Sequence, residues 1–161
     1  MDDETRKELA IRFFNEALEH QKKKELDEAV ELYMKSIEAY PTAEAYTFLG
    51  WTYSFMGRVD DAIAECHKAI EVDPTFGNPY NDIGAYLIEQ GHPADAIPWL
   101  EKAIASTRYD AYHYPWYNLG RVYVAQELYN KARQCFEQSR QIEPRYQPAV
   151  DGLRKLRMLL Q

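Results

Sequence analysis

Residues 116–144 read WYNLGRVYVAQELYNKARQCFEQSRQIEP, with a ring at 116, a small residue at 120, an alanine at 132 and a proline at 144. The same order recurs three more times, once without the proline, and its small residue returns after 33, 34 and 36 positions. A period of this length is typical of chains built from stacked structural repeats. The small residues are Ala17, Gly50, Gly84 and Gly120; the later alanines are Ala29, Ala62, Ala96 and Ala132; the preceding rings are Phe13, Tyr46, Tyr80 and Trp116.

Each repeat predicts two helices, because apolar residues recur at three-and-four spacing in two runs separated by a short turn. Gly57 and Gly91 stand in two of these turns, where the left-handed backbone that ends a helix suits glycine. Glycine inside a helix costs about 1 kcal/mol relative to alanine. We therefore expect Gly50, Gly84 and Gly120 to lie where two antiparallel helices pack closely, because the small residue and the alanine twelve positions later let the helices approach. The sequence predicts an all-α fold with nine helices, over residues 3–22, 25–39, 43–56, 59–72, 78–90, 93–106, 114–126, 129–142 and 147–160.

This pattern resembles the tetratricopeptide repeat family. The fourth repeat has the family's residues at the family's spacing: Trp116, Leu119, Gly120, Tyr123, Ala132, Phe136 and Pro144. The second repeat matches nearly as well, the third has Arg108 where the closing proline is expected, and the first departs most. The resemblance implies a single domain over 1–161, an α-solenoid with helix-turn-helix repeats at about 10–42, 43–76, 77–112 and 113–146. Residues 147–160 predict a capping helix on the last repeat.

Composition and spacing argue against several classes of function. The net charge is −7, and residues 1–80 hold nine Lys and Arg against 17 Asp and Glu, which disfavours binding to a phosphate backbone. No apolar run is long enough for a membrane-spanning helix, and the start lacks a secretory signal, so we expect a cytoplasmic protein without membrane insertion. Cys66, Cys135 and the histidines show no metal-ligand spacing, and no nucleotide-binding or catalytic motif is present. We therefore predict no enzymatic activity, no cofactor and no metal.

The resemblance implies that the first helix of each repeat lines a concave surface. Residues that follow the ring and the small residue, with those three and four positions further on, would project into that groove. The groove candidates are Phe14, Leu18, Trp51, Phe55, Asn81, Ile88, Tyr117, Arg121 and Val124. Exposed apolar patches of this kind usually mark interaction sites. The alternative is that these side chains pack against neighbouring inner helices.

The tyrosine-rich insert over residues 106–114 is a second candidate surface, and it has two interpretations. Its rings either form a recognition edge or fold back to cover the lengthened turn between the third and fourth repeats.

The predicted function is that of an adaptor or scaffold, a monomer whose groove holds an apolar helix or peptide of a partner protein. The alternatives are a chaperone-like holder of secretion or pilus subunits and a structural module excised from a larger protein. Family members that grip the C-terminal carboxylate of heat-shock proteins use Lys, Asn and Arg on their inner helices. The matching positions here include Leu18, Phe48 and Asp82, which cannot hold a carboxylate, so the sequence argues against that clamp.

Overall fold

The computed structural model of the chain describes residues 1–161 as an all-α protein. Its helices are α1 (Asp3–Lys22), α2 (Leu26–Ala39), α3 (Ala43–Phe55), α4 (Val59–Val72), α5 (Asn78–Glu89), α6 (Pro93–Ala105), α7 (His113–Ala125), α8 (Tyr129–Ile142) and α9 (Gln147–Leu159). The nine predicted helices are confirmed, and every helix end lies within one residue of its predicted position. None of these helices is both long enough and apolar enough to cross a membrane.

The chain divides into two compact units, Met1–Pro79 and Tyr80–Gln161. In unit 1, the first of these, α1 packs on α2, α2 on α3 and α3 on α4. Side chains cap two of the helix starts: Asp2 accepts a hydrogen bond from the Thr5 amide at 2.8 Å, and Thr42 accepts one from the Ala45 amide at 3.1 Å. Such caps satisfy amide groups that have no partner within the helix.

Unit 2 holds the remaining helices, with α7 packed on α6 and α8, and α9 packed on α8. One buried cluster centres on Leu100, Leu119 and Val122, and a second on Phe136 and Leu156. Because α9 contributes Leu156 to the second cluster, it covers apolar surface of α8 as the predicted capping helix should.

The turns inside the repeats share one backbone conformation but not one residue type. Gly57 and Gly91 have φ angles of 78° and 83°, which confirms the left-handed turns predicted for them. Lys24 and Glu127 occupy the same place in the other two turns, with φ angles of 63° and 59°. A side chain in this region of backbone space costs roughly 1 kcal/mol, which glycine avoids.

The glycines inside the helices do mark close packing, but the neighbour differs between repeats. A Cβ added to Gly50 would lie 2.9 Å from the carbonyl oxygen of Ala62, the alanine twelve positions later. At Gly84 the nearest atoms belong instead to Leu100, and at Gly120 to the ring of Phe136. In these two repeats a large side chain four positions after the alanine fills the space that the missing Cβ leaves.

Candidate functional site

In unit 1 a row of aromatic rings leads from the core to the surface. The Phe14 and Phe48 ring centroids lie 5.3 Å apart, Phe48 and Trp51 5.9 Å, and Trp51 and Phe55 5.0 Å. Phe14 also contacts Tyr33, which is fully buried. The outer end of the row is open, since Trp51 is 42% exposed and Phe55 59% exposed. These two rings from α3 therefore offer apolar surface to a partner, whereas Phe14 is half-buried and packs inward.

The exposed rings border a pocket of about 650 Å³ formed by α1, α3 and the turn after α1. Its residues are Leu18, Gln21, Lys22, Lys24, Leu26, Phe48, Trp51 and Phe55. The predicted candidates Leu18, Trp51 and Phe55 thus meet at one pocket. Sequence reasoning did not assign Lys24 and Leu26 to the groove, because they follow α1 rather than lie on its inner face.

Gln21 is the buried polar group of this pocket. Its side-chain oxygen accepts a hydrogen bond from the Tyr33 hydroxyl at 2.5 Å, and burial raises the pKa of that hydroxyl far above its ordinary value. The residue is only 8% exposed, and its side-chain nitrogen has no hydrogen-bond partner. A buried donor without an acceptor costs about 1–3 kcal/mol, so the pocket carries an unfilled hydrogen-bonding requirement.

The predicted polar candidates of unit 2 are joined in a hydrogen-bonded row. The Asn118 side chain donates to Asn81 Oδ1 at 3.0 Å, and Arg121 Nη1 donates to Asn118 Oδ1 at 3.1 Å. Asn81 is 8% exposed, so its amide is occupied within the unit. Next to it, burial raises the pKa of the Asp82 carboxyl to about 7, and a hydrogen bond with Asn81 opposes that rise. In this unit Arg121 is the candidate with a cationic group available at the surface.

The apolar candidates of unit 2 are more enclosed than those of unit 1. Tyr117 is half-buried, with its ring centroid 5.6 Å from Phe136 and 5.4 Å from Tyr146. Val124 packs beside it on the Phe136 cluster, and Ile88 packs on the Leu100 cluster. A second pocket of about 460 Å³ lies between α7, α8 and α9. Its lining includes Tyr117, Arg121, Val124, Asp151 and Lys155.

The tyrosine-rich insert folds back on itself. The Tyr112 hydroxyl donates to the carbonyl of Ser106 at 2.5 Å, and the rings of Tyr109 and Tyr112 meet edge to face at 5.2 Å. Tyr114 meets the Tyr146 ring edge to face at 5.3 Å while remaining 42% exposed. These contacts favour the covering role of the insert over the recognition edge.

The paired helices, with small residues at the same packing position in each pair, define an α-helical repeat protein. Comparison with known proteins identifies its class. Models of the tetratricopeptide repeat match residues 13–42, 43–76, 80–108 and 113–146. The chain belongs to the tetratricopeptide repeat family, and it is a protein–protein interaction module of that kind; none of the matching models describes an enzyme.

Individual relatives share the fold over different parts of the chain. The small glutamine-rich tetratricopeptide repeat-containing protein 2 of Mycosarcoma maydis is 30% identical over 50% of this chain, which spans 23% of that relative's length. Pseudomonas aeruginosa pilF superposes with a TM-score of 0.87 at 22% identity, over 94% of this chain and 69% of that one. The first tetratricopeptide domain of Spaghetti (RPAP3), solved with the HSP90 peptide SRMEEVD, has a TM-score of 0.67 at 23% identity over 74% of this chain and 93% of its own. At these identities the two structures show a common fold.

Proposed function

We propose that unit 1 binds an apolar segment of a partner protein in the pocket bordered by Trp51 and Phe55. The observation that carries this proposal is the pair of adjacent rings, 42% and 59% exposed, whose centroids lie 5.0 Å apart. Large aromatic side chains are strongly over-represented among the residues that dominate binding energy at protein interfaces. The protein would act as an adaptor that holds a segment of a second protein.

The surroundings of the two rings support binding rather than folding as their role. Phe48, one step closer to the core, already bridges between Phe14 and Trp51. Trp51 and Phe55 extend the row of rings beyond the buried core to the exposed surface. Contiguous exposed apolar surface of this kind in a monomer usually marks an interaction site.

The chemistry of the pocket also distinguishes it from the carboxylate grip that some family members use. Leu18 and Phe48 stand at positions matched to the polar residues of that grip, and both line the apolar pocket. A peptide held here would be recognised mainly through large apolar side chains. The HSP90 peptide seen on Spaghetti (RPAP3) shows that a related fold binds a short peptide, and it motivates a peptide as the ligand here.

A photo-crosslinking experiment tests this proposal. A benzophenone amino acid placed at Phe55 should capture a partner in native extract, and mass spectrometry of the adduct would identify the segment. The control is the same amino acid at Met34, which is 53% exposed on α2 and is not part of the pocket. Trp51→Ala should then weaken binding of the captured segment by about 1–4 kcal/mol. Equal capture at both positions, or an unchanged affinity of Trp51→Ala, would rule the pocket out.

A further inference from the structure

Three consecutive lysines lie at the end of α1, beside the apolar pocket of unit 1. Lys22 and Lys24 line the pocket, and Lys23 is exposed between them. They are three of the nine cationic side chains in residues 1–80, a region in which acidic residues predominate. Lys22 Nζ lies 3.4 Å from Glu19 Oε1, whereas the ammonium group of Lys24 has no ion-pair partner. Positive charge is thus concentrated at the pocket, against the charge of the surrounding sequence.

Lys24 stands where the backbone favours glycine. Its φ angle of 63° matches the turns at Gly57 and Gly91, so the lysine side chain is kept at an energetic cost to the fold. A lysine at the end of a helix can offset the helix dipole, but Lys22 already lies in the last turn of α1 and Lys24 lies beyond it. Glu127 shares the conformation in unit 2, which shows that the turn admits side chains of either charge.

Gln21 adds an independent polar requirement to the same pocket. Its side-chain nitrogen is a buried donor without an acceptor, while its oxygen is occupied by the Tyr33 hydroxyl. The nitrogen is itself buried, so a ligand carboxylate or carbonyl oxygen would satisfy it only if the Gln21 side chain turns into the pocket that the residue lines. An apolar segment without acceptors would leave it unsatisfied.

We infer that the pocket selects an acidic-apolar segment, in which large apolar side chains stand beside Asp or Glu residues within the partner chain. The apolar side chains contact Phe48, Trp51 and Phe55, and the carboxylates face Lys22 and Lys24. This inference rests on the proposed function and adds the charge of the partner to it. Because the cations lie at the edge of the pocket, the acidic residues set specificity and association rate more than they set total affinity.

Selection from a library of random peptides, displayed without a free C terminus on phage, tests the inference on the full chain. The expected result is enrichment of peptides that combine large apolar residues with Asp or Glu. The charge-reversed chain carrying Lys22→Glu and Lys24→Glu should lose the acidic preference while keeping the apolar one. Affinity of an enriched peptide should fall as salt is raised, because exposed charges are screened.

Lys24→Gly separates binding from folding. Glycine adopts the left-handed conformation at position 24 without strain, so the melting temperature should stay the same or rise. Affinity for an enriched acidic peptide should nevertheless fall about 2- to 5-fold, the effect expected for losing one exposed ion pair. Glu127→Gly is the matched control, since it relieves the same conformation in unit 2 and should leave affinity unchanged.

Binding at the pocket and its preference for acidic segments can be overturned separately. If no peptide is enriched, or if Trp51→Ala leaves the affinity of enriched peptides unchanged, both the proposed function and this inference are overturned. If Trp51→Ala abolishes binding but the enriched peptides show no excess of Asp or Glu, the pocket stands and the acidic preference is overturned. An affinity unchanged by Lys24→Gly would likewise overturn the role assigned to that lysine.

Discussion

Replacing Gly120 with alanine adds one methyl group between α7 and α8, at a place where the structure leaves no room for it. The new Cβ would lie 2.9 Å from Phe136 Cζ and nearer still to two other ring atoms, whereas ordinary contact begins at 3.4 Å. The ring therefore has to move by about 1 Å. It cannot move freely, because Phe136 is 3% exposed and its far edge packs against Gly152 of α9.

The size of the effect follows from two opposing terms. Overpacking a core position costs about 1–3 kcal/mol. Alanine recovers about 1 kcal/mol of helix propensity relative to glycine. Because Phe136 is held at both edges, we expect an overpacking cost in the upper half of that range, about 2–3 kcal/mol. The net expectation is a loss of about 1–2 kcal/mol in the free energy of unfolding, which for a chain of this size lowers the melting temperature by about 2–8 °C.

Circular dichroism melts and urea titrations of four proteins would check this expectation: wild type, Gly120→Ala, Phe136→Ala and the double variant. Since alanine at position 136 leaves the space that the new methyl group needs, the double variant should be more stable than the sum of the single effects predicts, by about 1 kcal/mol or more. Gly84→Ala is a second test, because its new Cβ would lie 2.5 Å from Cδ2 of the fully buried Leu100 and should destabilise the chain as well. Strict additivity, or a Gly120→Ala protein as stable as wild type, would refute the packing described for Phe136.

Three further predictions concern the surface, the partly buried acid Asp82 and the C-terminal helix. Trp51→Ala should change stability by less than about 1 kcal/mol, whereas Tyr117→Ala should cost more than that because Tyr117 packs on the core of unit 2; thermal melts of both variants decide it. The folded-state pKa of Asp82, about 7, lies above the ordinary 3.8, so its contribution makes stability fall as pH rises from about 4 to 7. Asp82→Asn should therefore gain on the order of 2–4 kcal/mol over wild type at about pH 8 and little at about pH 4, as measured by urea titration. Deleting residues 147–161 should uncover the Phe136 cluster and cause aggregation, visible by size-exclusion chromatography; a monomer with an unchanged melt would contradict the capping role of α9.

The positions of the helices could be predicted from the sequence because the same packing constraints are repeated four times along it. Each repeat supplies a ring, a small residue and an alanine at fixed spacing, and Gly57 and Gly91 mark two of the turns. The facing partners of Gly84 and Gly120 were not predictable in the same way. Spacing fixes which helix faces a glycine, but the rotamers of Leu100 and Phe136 decide which side chain fills the gap.

The candidate site was only partly predictable. Trp51 and Phe55 follow from the helical positions left over after the packing residues are assigned, but Asn81 is largely buried and bonded to Asn118, a pairing between side chains 37 positions apart. Lys24 was missed, although a signal was present. It occupies the turn position of Gly57 and Gly91, and its charge is opposite to that of Glu127 in the equivalent turn of unit 2.

The residues that distinguish this chain from a generic repeat lie where equivalent positions differ in chemistry. The residue after the small position is Leu18 or Trp51 in unit 1 but Ala85 or Arg121 in unit 2. Unit 1 consequently presents an apolar pocket edged by lysines, while in unit 2 Arg121 ends a row of hydrogen-bonded amides. Packing between helices constrains the ring, the small residue and the alanine in every repeat. The position after the small residue is free to differ, so partner selectivity should be concentrated there. Exchanging Leu18 and Trp51 for the residues of unit 2 should therefore abolish peptide selection by unit 1 while leaving its helices intact.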